Sequence, residues 1–373
     1  MFKQKIFLSV LALSLTAGCS LSPHKKNSAR EIQNSKDQNE LIIIATTDFH
    51  ATVDKAEGLA KVVRDLREQY GDRVLHLDGG DLFQGSIEGN MSKGRAVVDL
   101  YNLLGVDAAA IGNHELDYGP DLLGRTTVRE GEDGMGNLKA RVKDAKFKWL
   151  SANLVRLQAN GRPVVCNPSK SKNCNGAGQA TVFPPHAIFE KSVGRVCVIG
   201  GTTPQTPNIT QPAFVRGVDF LPLEKTVEAE ARFLRNREHC NFVILTAHAG
   251  LSCNSSGRCL EAGTHAEILK LLRAIPKGTL DAVVAGHTHL KAQEIIEGTP
   301  VIEAASTAKV VGVLKLQAKK HATPESFLPF IAVPPNSDAI GGDADVSDIT
   351  NAMKPYRDSA RSTKEQVVGQ ALS

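Results

Sequence analysis

The chain has 373 residues, of which 42% are hydrophobic and 23% charged, and its formal net charge is +4. This length and composition allow a large buried core and fit a single α/β domain of about 300 residues. The charge is too small to indicate nucleic-acid binding, and lysines and arginines form no stripe with interleaved aromatics, so no nucleic-acid partner is expected.

The first forty residues predict export and a lipid anchor. Residues 1–18 combine a basic start, an apolar run too short to span a bilayer and a small-residue cleavage box, which is typical of a secretory signal. The box ends at Cys19 and resembles the lipoprotein signals of bacteria. This implies that Cys19 is acylated and holds the mature protein in the cell envelope, facing the periplasm or the exterior. An ordinary signal with an incidental cysteine is the alternative. Residues 19–40 are polar and predict a flexible tether to the membrane.

From residue 41 onward, apolar runs typical of buried strands alternate with segments of helical period. The predicted strands are 41–46, 73–77, 107–111, 148–154, 195–200, 242–247 and 280–285, and the predicted helices are 57–70, 93–104, 223–237 and 265–274. From 293 to 333 the pattern changes to short strands with glycine and proline turns. The sequence therefore predicts an α/β fold with a sheet-rich domain over 41–335 and a C-terminal helical tail over 336–373.

The seven cysteines fit an oxidising compartment. Cys166 and Cys174 flank one short polar loop and Cys253 and Cys259 flank another, so each pair could close a local disulfide. Cys197 lies within an apolar run and is predicted to be a buried free thiol. Zinc binding by these cysteines is not expected, because the sequence contains no Cys-x-x-Cys spacing.

Charged and histidine-containing segments follow the predicted strands at their carboxyl ends, where ligands gather in an α/β sheet. These segments carry Asp48, His50, Asp81, Asn113, His114, His248, His287 and His289. Oxygen and imidazole donors suit hard-to-borderline divalent cations. So many donors from five separate loops predict a dinuclear metal centre.

Taken in order, these segments resemble the motifs of the calcineurin-like metallophosphoesterases, in particular the catalytic domain of bacterial periplasmic 5'-nucleotidases. The segments are Thr47-Asp48-Phe49-His50, Gly79-Gly80-Asp81, Gly112-Asn113-His114-Glu115, His248 and Gly286-His287-Thr288-His289. The resemblance runs from residue 41 to about residue 333. It implies the metallophosphoesterase fold, a two-sheet sandwich flanked by helices. It also implies hydrolysis of phosphate esters by a hydroxide that bridges two divalent ions of Mn, Zn, Fe or Co.

The resemblance also implies a role for each residue. The first-metal ligands would be Asp48, His50 and His289, the second-metal ligands Asn113, His248 and His287, and the bridge Asp81. Related nucleotidases often carry glutamine at the position of His289. His114 would face the substrate as electrostatic partner or general acid, oriented by Asp117. Glu115 is expected to brace its loop, and His76 and His186 are expected not to bind the metals.

Several functions are compatible with such a centre. The leading expectation is a membrane-anchored phosphomonoesterase that acts on nucleotides or other small phosphate esters, in nucleotide catabolism. The same centre could hydrolyse cyclic or linear phosphodiesters, and the thiosulfohydrolase branch of the superfamily is a further enzyme alternative. A non-catalytic lipoprotein could use the fold only as a binding module. Two-domain 5'-nucleotidases bind the nucleobase with a second domain, and the resemblance covers only the first, so low selectivity among nucleotides is expected.

Overall fold

The computed structural model describes residues 39–254, 266–318, 320–340 and 345–366. The strands in these ranges are β1 (Glu40–Thr46), β2 (Val74–Asp78), β3 (Ala108–Ala110), β4 (Lys148–Leu150), β5 (Leu154–Arg156), β6 (His186–Lys191), β7 (Gly194–Thr202), β8 (Val218–Phe220), β9 (Phe242–His248), β10 (Ala282–Val284), β11 (Lys291–Ile296), β12 (Thr299–Ala304), β13 (Val310–Gln317) and β14 (Phe327–Ala332). The helices are α1 (Ala56–Tyr70), α2 (Ile87–Ser92), α3 (Arg95–Leu104), α4 (Gly136–Asp144), α5 (Thr206–Ile209), α6 (Leu223–Arg237), α7 (Glu267–Ala274), α8 (Asn336–Ile340) and α9 (Ser347–Lys364). The predicted signal and Cys19 lie outside the described residues.

Two six-stranded sheets form the sandwich, so the predicted fold class is confirmed. The strand order is β14-β13-β1-β2-β3-β4 in the first sheet and β11-β12-β10-β9-β7-β6 in the second, with a separate pair of β5 and β8. Strands β1 to β4 run parallel, as do β12, β10, β9 and β7, and antiparallel strands complete each sheet. The carboxyl ends of the central strands therefore lie along one edge, which positions the loops that follow them.

The core lies in three layers. Leu41 and Ile43 of β1 pack with Val198 and Ile244 of the second sheet, between the sheets. The alternate residue Ile42 points to the opposite face, into the core that α1 and α3 cover. Helices α6 and α7 cover the outer face of the second sheet. Because both faces of the central strands are buried, most of their residues are apolar, as in residues 41–45 of β1.

Some elements differ from the predictions. The predicted strand 148–154 is divided into β4 and β5, because Ser151 and Asn153 turn inward and bond Thr202 of β7. The edge strand β6 was not predicted, since its residues are only partly buried. Helix α4 was also missed because it has no apolar stripe: its buried residues are Asn137, Leu138 and Arg141.

The C-terminal helix α9 packs against α1 and α3. Its residues Ile349 and Met353 are completely buried in the core beneath the first sheet. The Arg357 guanidinium donates to both carboxylate oxygens of Glu57, at 2.6 and 2.7 Å, and to the carbonyl of Val53 at 2.6 Å. Helix α9 is thereby tied to the chain segment that follows the first predicted metal loop. Over the described ranges, no helix has both the length and the apolar character that a membrane crossing requires.

The structure bears on both predicted local pairs. Cys166 and Cys174 are bonded, with their Cα atoms 6.0 Å apart. Cys253 is also disulfide-bonded, and its predicted partner Cys259 lies outside the described residues.

The prediction that Cys197 is a free thiol was wrong. Cys197 on β7 is bonded to Cys240, which lies shortly before β9; the Cα atoms are 5.9 Å apart and the sequence separation is 43. Strands β7 and β9 are neighbours in the second sheet, and this pairing brings the two sulfurs together. Buried free thiols and buried disulfides occupy the same apolar surroundings, so the local sequence does not distinguish them.

Candidate metal centre

Two groups of side chains present metal-binding atoms at the edge of the sandwich. The first cluster consists of Asp48, His50 and His289, and the second cluster of Asp81, His248 and His287; within each cluster the donor atoms lie within 4.8 Å of one another. The first sheet supplies Asp48 and Asp81, which follow β1 and β2. The second sheet supplies the later histidines, at the ends of β9 and β10. All six were predicted as ligands.

The first cluster has acceptor atoms that face one another. Nδ1 of His50 donates to the carbonyl of Gln84 at 2.8 Å, which leaves the lone pair of Nε2 free to bind an ion. That Nε2 lies 3.0 Å from Nε2 of His289, and the latter lies 3.5 Å from the Asp48 carboxylate. Two imidazole nitrogens and a carboxylate at these distances fit a divalent cation between them.

The second cluster is centred on His248, which is completely buried. Its Nδ1 donates to the carbonyl of Gly79 at 3.1 Å. Its Nε2 lies 3.1 Å from Asp81, 3.0 Å from Oδ1 of Asn113 and 3.1 Å from Nδ1 of His287. The predicted ligand Asn113 thus joins this cluster. Four inward-facing donors of this kind also fit a divalent ion, with the neutral amide limiting the negative charge.

Electrostatic interactions link the residues of the centre. Burial alone would lower the pKa of His248, but the carboxylates of Asp81 and Asp48 raise it to about 10. The site therefore favours a positive charge between these carboxylates. Burial would raise the pKa of Asp81, but the interaction with His248 keeps it below its usual range. Asp81 also acts electrostatically on His50 and His289, so its charge reaches both clusters.

Five ligand residues have left-handed backbone conformations. Their φ angles are 50° at Asp48, 49° at His50, 56° at Asp81, 80° at His287 and 56° at His289. Such angles cost about 1–3 kcal/mol for a non-glycine residue and occur mainly at functional sites. Backbone bonds between the loops hold them: the amide of Asp48 donates to Gly80 at 2.9 Å, and that of His287 donates to the Asp48 carboxylate at 3.0 Å.

His114 lies beside the clusters and is not part of either one. Its Nδ1 donates to Asp117 at 2.6 Å, and its Nε2 lies 4.0 Å from the Asp81 carboxylate. Burial would lower the pKa of His114, but the hydrogen bond to Asp117 and the charge of Asp81 raise it to about 8. The predicted pair of His114 and Asp117 is therefore in contact, next to the second cluster.

Glu115 braces the loops. Its carboxylate accepts four backbone hydrogen bonds, from Asp81 at 3.0 Å, Leu82 at 2.7 Å, Phe83 at 3.2 Å and Gly112 at 2.6 Å. A side chain on Gly112 would collide with the Asp81 carboxylate, so only glycine fits there. One buried carboxylate therefore joins the loops that follow β2 and β3.

Two further buried carboxylates support the centre and were not predicted. Asp78 accepts from the amide of Gly80 at 2.8 Å and from Thr46 at 2.6 Å, and burial raises its pKa to about 6. Glu303 accepts from the hydroxyl of Thr288 at 2.8 Å, and burial raises its pKa to about 7. The available signal was a single acidic residue inside an apolar strand.

Comparison with known proteins places these features in a family. The profile described as calcineurin-like phosphoesterase matches residues 41–291. A 5'-nucleotidase of Vibrio cholerae is 27% identical over 295 residues, which cover 76% of this chain and 45% of that protein. The chain thus spans about half the length of the curated relatives it matches.

Solved structures share the fold. The calcineurin-like phosphoesterase YfkN of Bacillus subtilis superposes with a TM-score of 0.64 at 20% identity, over 88% of this chain and 99% of that one. A 5'-nucleotidase precursor of Thermus thermophilus has a TM-score of 0.62 at 23% identity, over 89% of this chain and 61% of that one. Since the matching profile covers most of the chain and contains every residue of both clusters, the chain belongs to the calcineurin-like phosphoesterase family.

Proposed function

We propose that this chain is a dinuclear metal-dependent phosphoester hydrolase of the 5'-nucleotidase type, acting on phosphate monoesters of nucleotides or similar small molecules. The observation that carries the proposal is the pair of adjacent donor clusters, each suited to one divalent cation and both reached by the charge of Asp81. A 5'-nucleotidase among the relatives supports nucleotides as the substrate class.

Each residue has a chemical task in this proposal. Asp48, His50 and His289 would hold one ion and Asn113, His248 and His287 the other, with Asp81 shared between them. Two ions there would activate a water molecule and neutralise the phosphoryl oxygens. His114, held by Asp117 through Nδ1, would present its Nε2 proton to the leaving oxygen. Glu115 and Asp78 keep the loops in place and take no part in the bond-breaking step.

Metal analysis combined with a substrate panel tests the proposal. Purified protein should contain close to two divalent ions per chain and should hydrolyse AMP and an aryl phosphate; a diaryl phosphate tests the phosphodiesterase alternative. Asp81→Ala should lose both ions and activity, whereas Asp358→Ala, which removes an exposed partner of Lys354, should retain both. Full activity of Asp81→Ala would contradict the shared carboxylate, and a metal-loaded wild type without any phosphoester hydrolysis would contradict the function.

We also propose that the enzyme works in the bacterial cell envelope, anchored through a lipid on Cys19. The disulfides Cys166–Cys174 and Cys197–Cys240 support an oxidising compartment. Stable anchoring requires two or more acyl chains, since each buried CH₂ contributes only about 0.8 kcal/mol. Wild-type protein should incorporate labelled fatty acid and sediment with membranes, and Cys19→Ser should abolish the label. Label that persists in Cys19→Ser would refute this assignment.

A further inference from the structure

The turn between β12 and β13, residues 305–309, has an unusual backbone. Ala305, Thr307 and Ala308 have φ angles of 60°, 53° and 48°, although none of them is glycine. Three left-handed residues in so short a segment are costly, at about 1–3 kcal/mol each, and they persist only where surrounding contacts enforce them. Contacts with neighbouring segments must therefore hold this turn in place.

The enforcing contacts come from the first cluster. The amide of Thr307 donates to the carbonyl of Asp48 at 2.8 Å, and the amide of Ala305 donates to the carbonyl of Leu290, next to His289, at 2.8 Å. The 305–309 turn is thus bonded to both loops that carry the first cluster. It forms the wall of the centre on that side.

Lys309 is the exposed cation of this wall. Ala305 and Ala308 are buried, whereas Lys309 is open to solvent. Its backbone is fixed on both sides: its amide donates to Ser306 at 3.2 Å, and its carbonyl accepts from Val333 at 3.1 Å. Within the described part of the chain its ammonium has neither a hydrogen bond nor an ion pair.

The turn that carries Lys309 lies beside the first cluster, because it is bonded to the loops of Asp48 and His289. Burial and the neighbouring His50 lower the pKa of His289, and the positive charge of Lys309 lowers it further. This is also the open side of the centre. The side chain of His289 is 47% exposed, whereas His248 of the second cluster is completely buried. The exposed side of the first cluster is therefore bordered by the turn that carries Lys309.

We propose that Lys309 is a substrate-binding residue that favours dianionic phosphate monoesters over monoanionic phosphodiesters. The inference rests on the proposed phosphoesterase function and deepens it by assigning a basis for the choice of ester. A monoester carries about two negative charges at neutral pH and a diester carries one. The Coulomb attraction of a single ammonium is therefore about twice as large for the monoester.

A charge series at Lys309 tests the proposal with an aryl phosphate and the matching diaryl phosphate. Lys309→Ala should lower kcat/KM about tenfold for the monoester and about threefold for the diester, because halving an electrostatic free energy takes the square root of the rate factor. Lys309→Glu should roughly square both factors. Lys309→Arg should retain most of the activity. Lys270→Ala on the exposed face of α7 is the control and should behave as wild type.

Metal content separates substrate binding from a structural effect. All Lys309 variants should keep the wild-type number of ions, and the salt dependence of kcat/KM should weaken in Lys309→Ala. If the wild type is active, three results would overturn the role of Lys309 alone: equal losses for the two esters, a loss of metal, or a kcat/KM of Lys309→Glu equal to that of the wild type. A metal-loaded wild type inactive on both esters would overturn the proposed function and this inference together.

Discussion

Glu115→Gln tests whether one buried carboxylate organises the centre. The wild-type side chain is completely buried and accepts hydrogen bonds from the amides of Asp81 and Gly112 through one oxygen and from those of Leu82 and Phe83 through the other. Glutamine has nearly the same shape but replaces one oxygen with an NH₂ group. Whichever way the amide turns, two of the four backbone donors lose their acceptor.

The magnitude follows from the number of donors left without an acceptor. Each buried unsatisfied N–H costs about 1–3 kcal/mol, so two cost about 2–6 kcal/mol. Part of this is offset, because burial raises the pKa of Glu115 to about 7 and thus already disfavours the charged form that glutamine removes. We therefore expect the free energy of unfolding to fall by about 2–3 kcal/mol. Metal affinity should fall as well, since the loop that carries Asp81 loses its support.

Urea denaturation of chelator-treated protein measures the first effect, and metal content at equal free metal measures the second. Glu190→Gln is the matched control, because Glu190 pairs with Arg195 at an exposed site and its removal should cost under about 0.5 kcal/mol. If Glu115→Gln unfolded at the wild-type urea concentration and kept both ions, the bracing role would be refuted.

Three more variants test the described contacts. His114→Asn should keep its metals but lose a factor of about 10²–10⁴ in turnover, and the loss should be largest for substrates with poor leaving groups. An equal loss for substrates with good and poor leaving groups would contradict the general-acid role. Replacing Cys197 and Cys240 together by alanine should lower the free energy of unfolding by about 4 kcal/mol, because the disulfide closes a loop with a sequence separation of 43. An unchanged midpoint in urea denaturation would contradict this. Arg357→Ala leaves the buried carboxylate of Glu57 without its ion-pair partner and should cost about 3 kcal/mol, whereas Lys364→Ala, which removes a partly exposed ion pair with Glu88 at 3.8 Å, should cost under about 1 kcal/mol. Similar urea midpoints for the two variants would contradict the role of Arg357 in holding α9.

The central strands could be predicted because their cause is local. Both faces of β1 are buried, which explains why residues 41–45 are apolar throughout. Helix α4 and strand β6 were not predicted for the opposite reason: neither has a strong apolar period, and each is held by its neighbours. The break after β4 depends on Thr202, which is distant in sequence from Ser151, and no local pattern indicates that contact.

For the site, the side-chain types and their places after strands were visible in the sequence, but the conformations were not. The left-handed backbone of Asp48 depends on a carbonyl of the loop after β2, and that of Thr307 depends on Asp48 itself. Asp78 and Glu303 were missed for a related reason. Each supports a ligand loop through tertiary hydrogen bonds, and an isolated acidic residue in a strand does not by itself indicate which loop it will contact.

Both sheets contribute residues to each cluster, and this links the metal centre to the packing of the sandwich. In the second cluster Asp81 comes from the first sheet while His248 comes from the second, and in the first cluster the same holds for Asp48 and His289. A metal ion in either cluster would therefore join the two sheets at their common edge. Binding to the folded state alone stabilises it by RT ln(1 + [M]/Kd), or about 4 kcal/mol at a thousandfold excess over Kd. The ions required for catalysis would thus also stabilise the packing of the two sheets, and chelation should lower both activity and the free energy of unfolding.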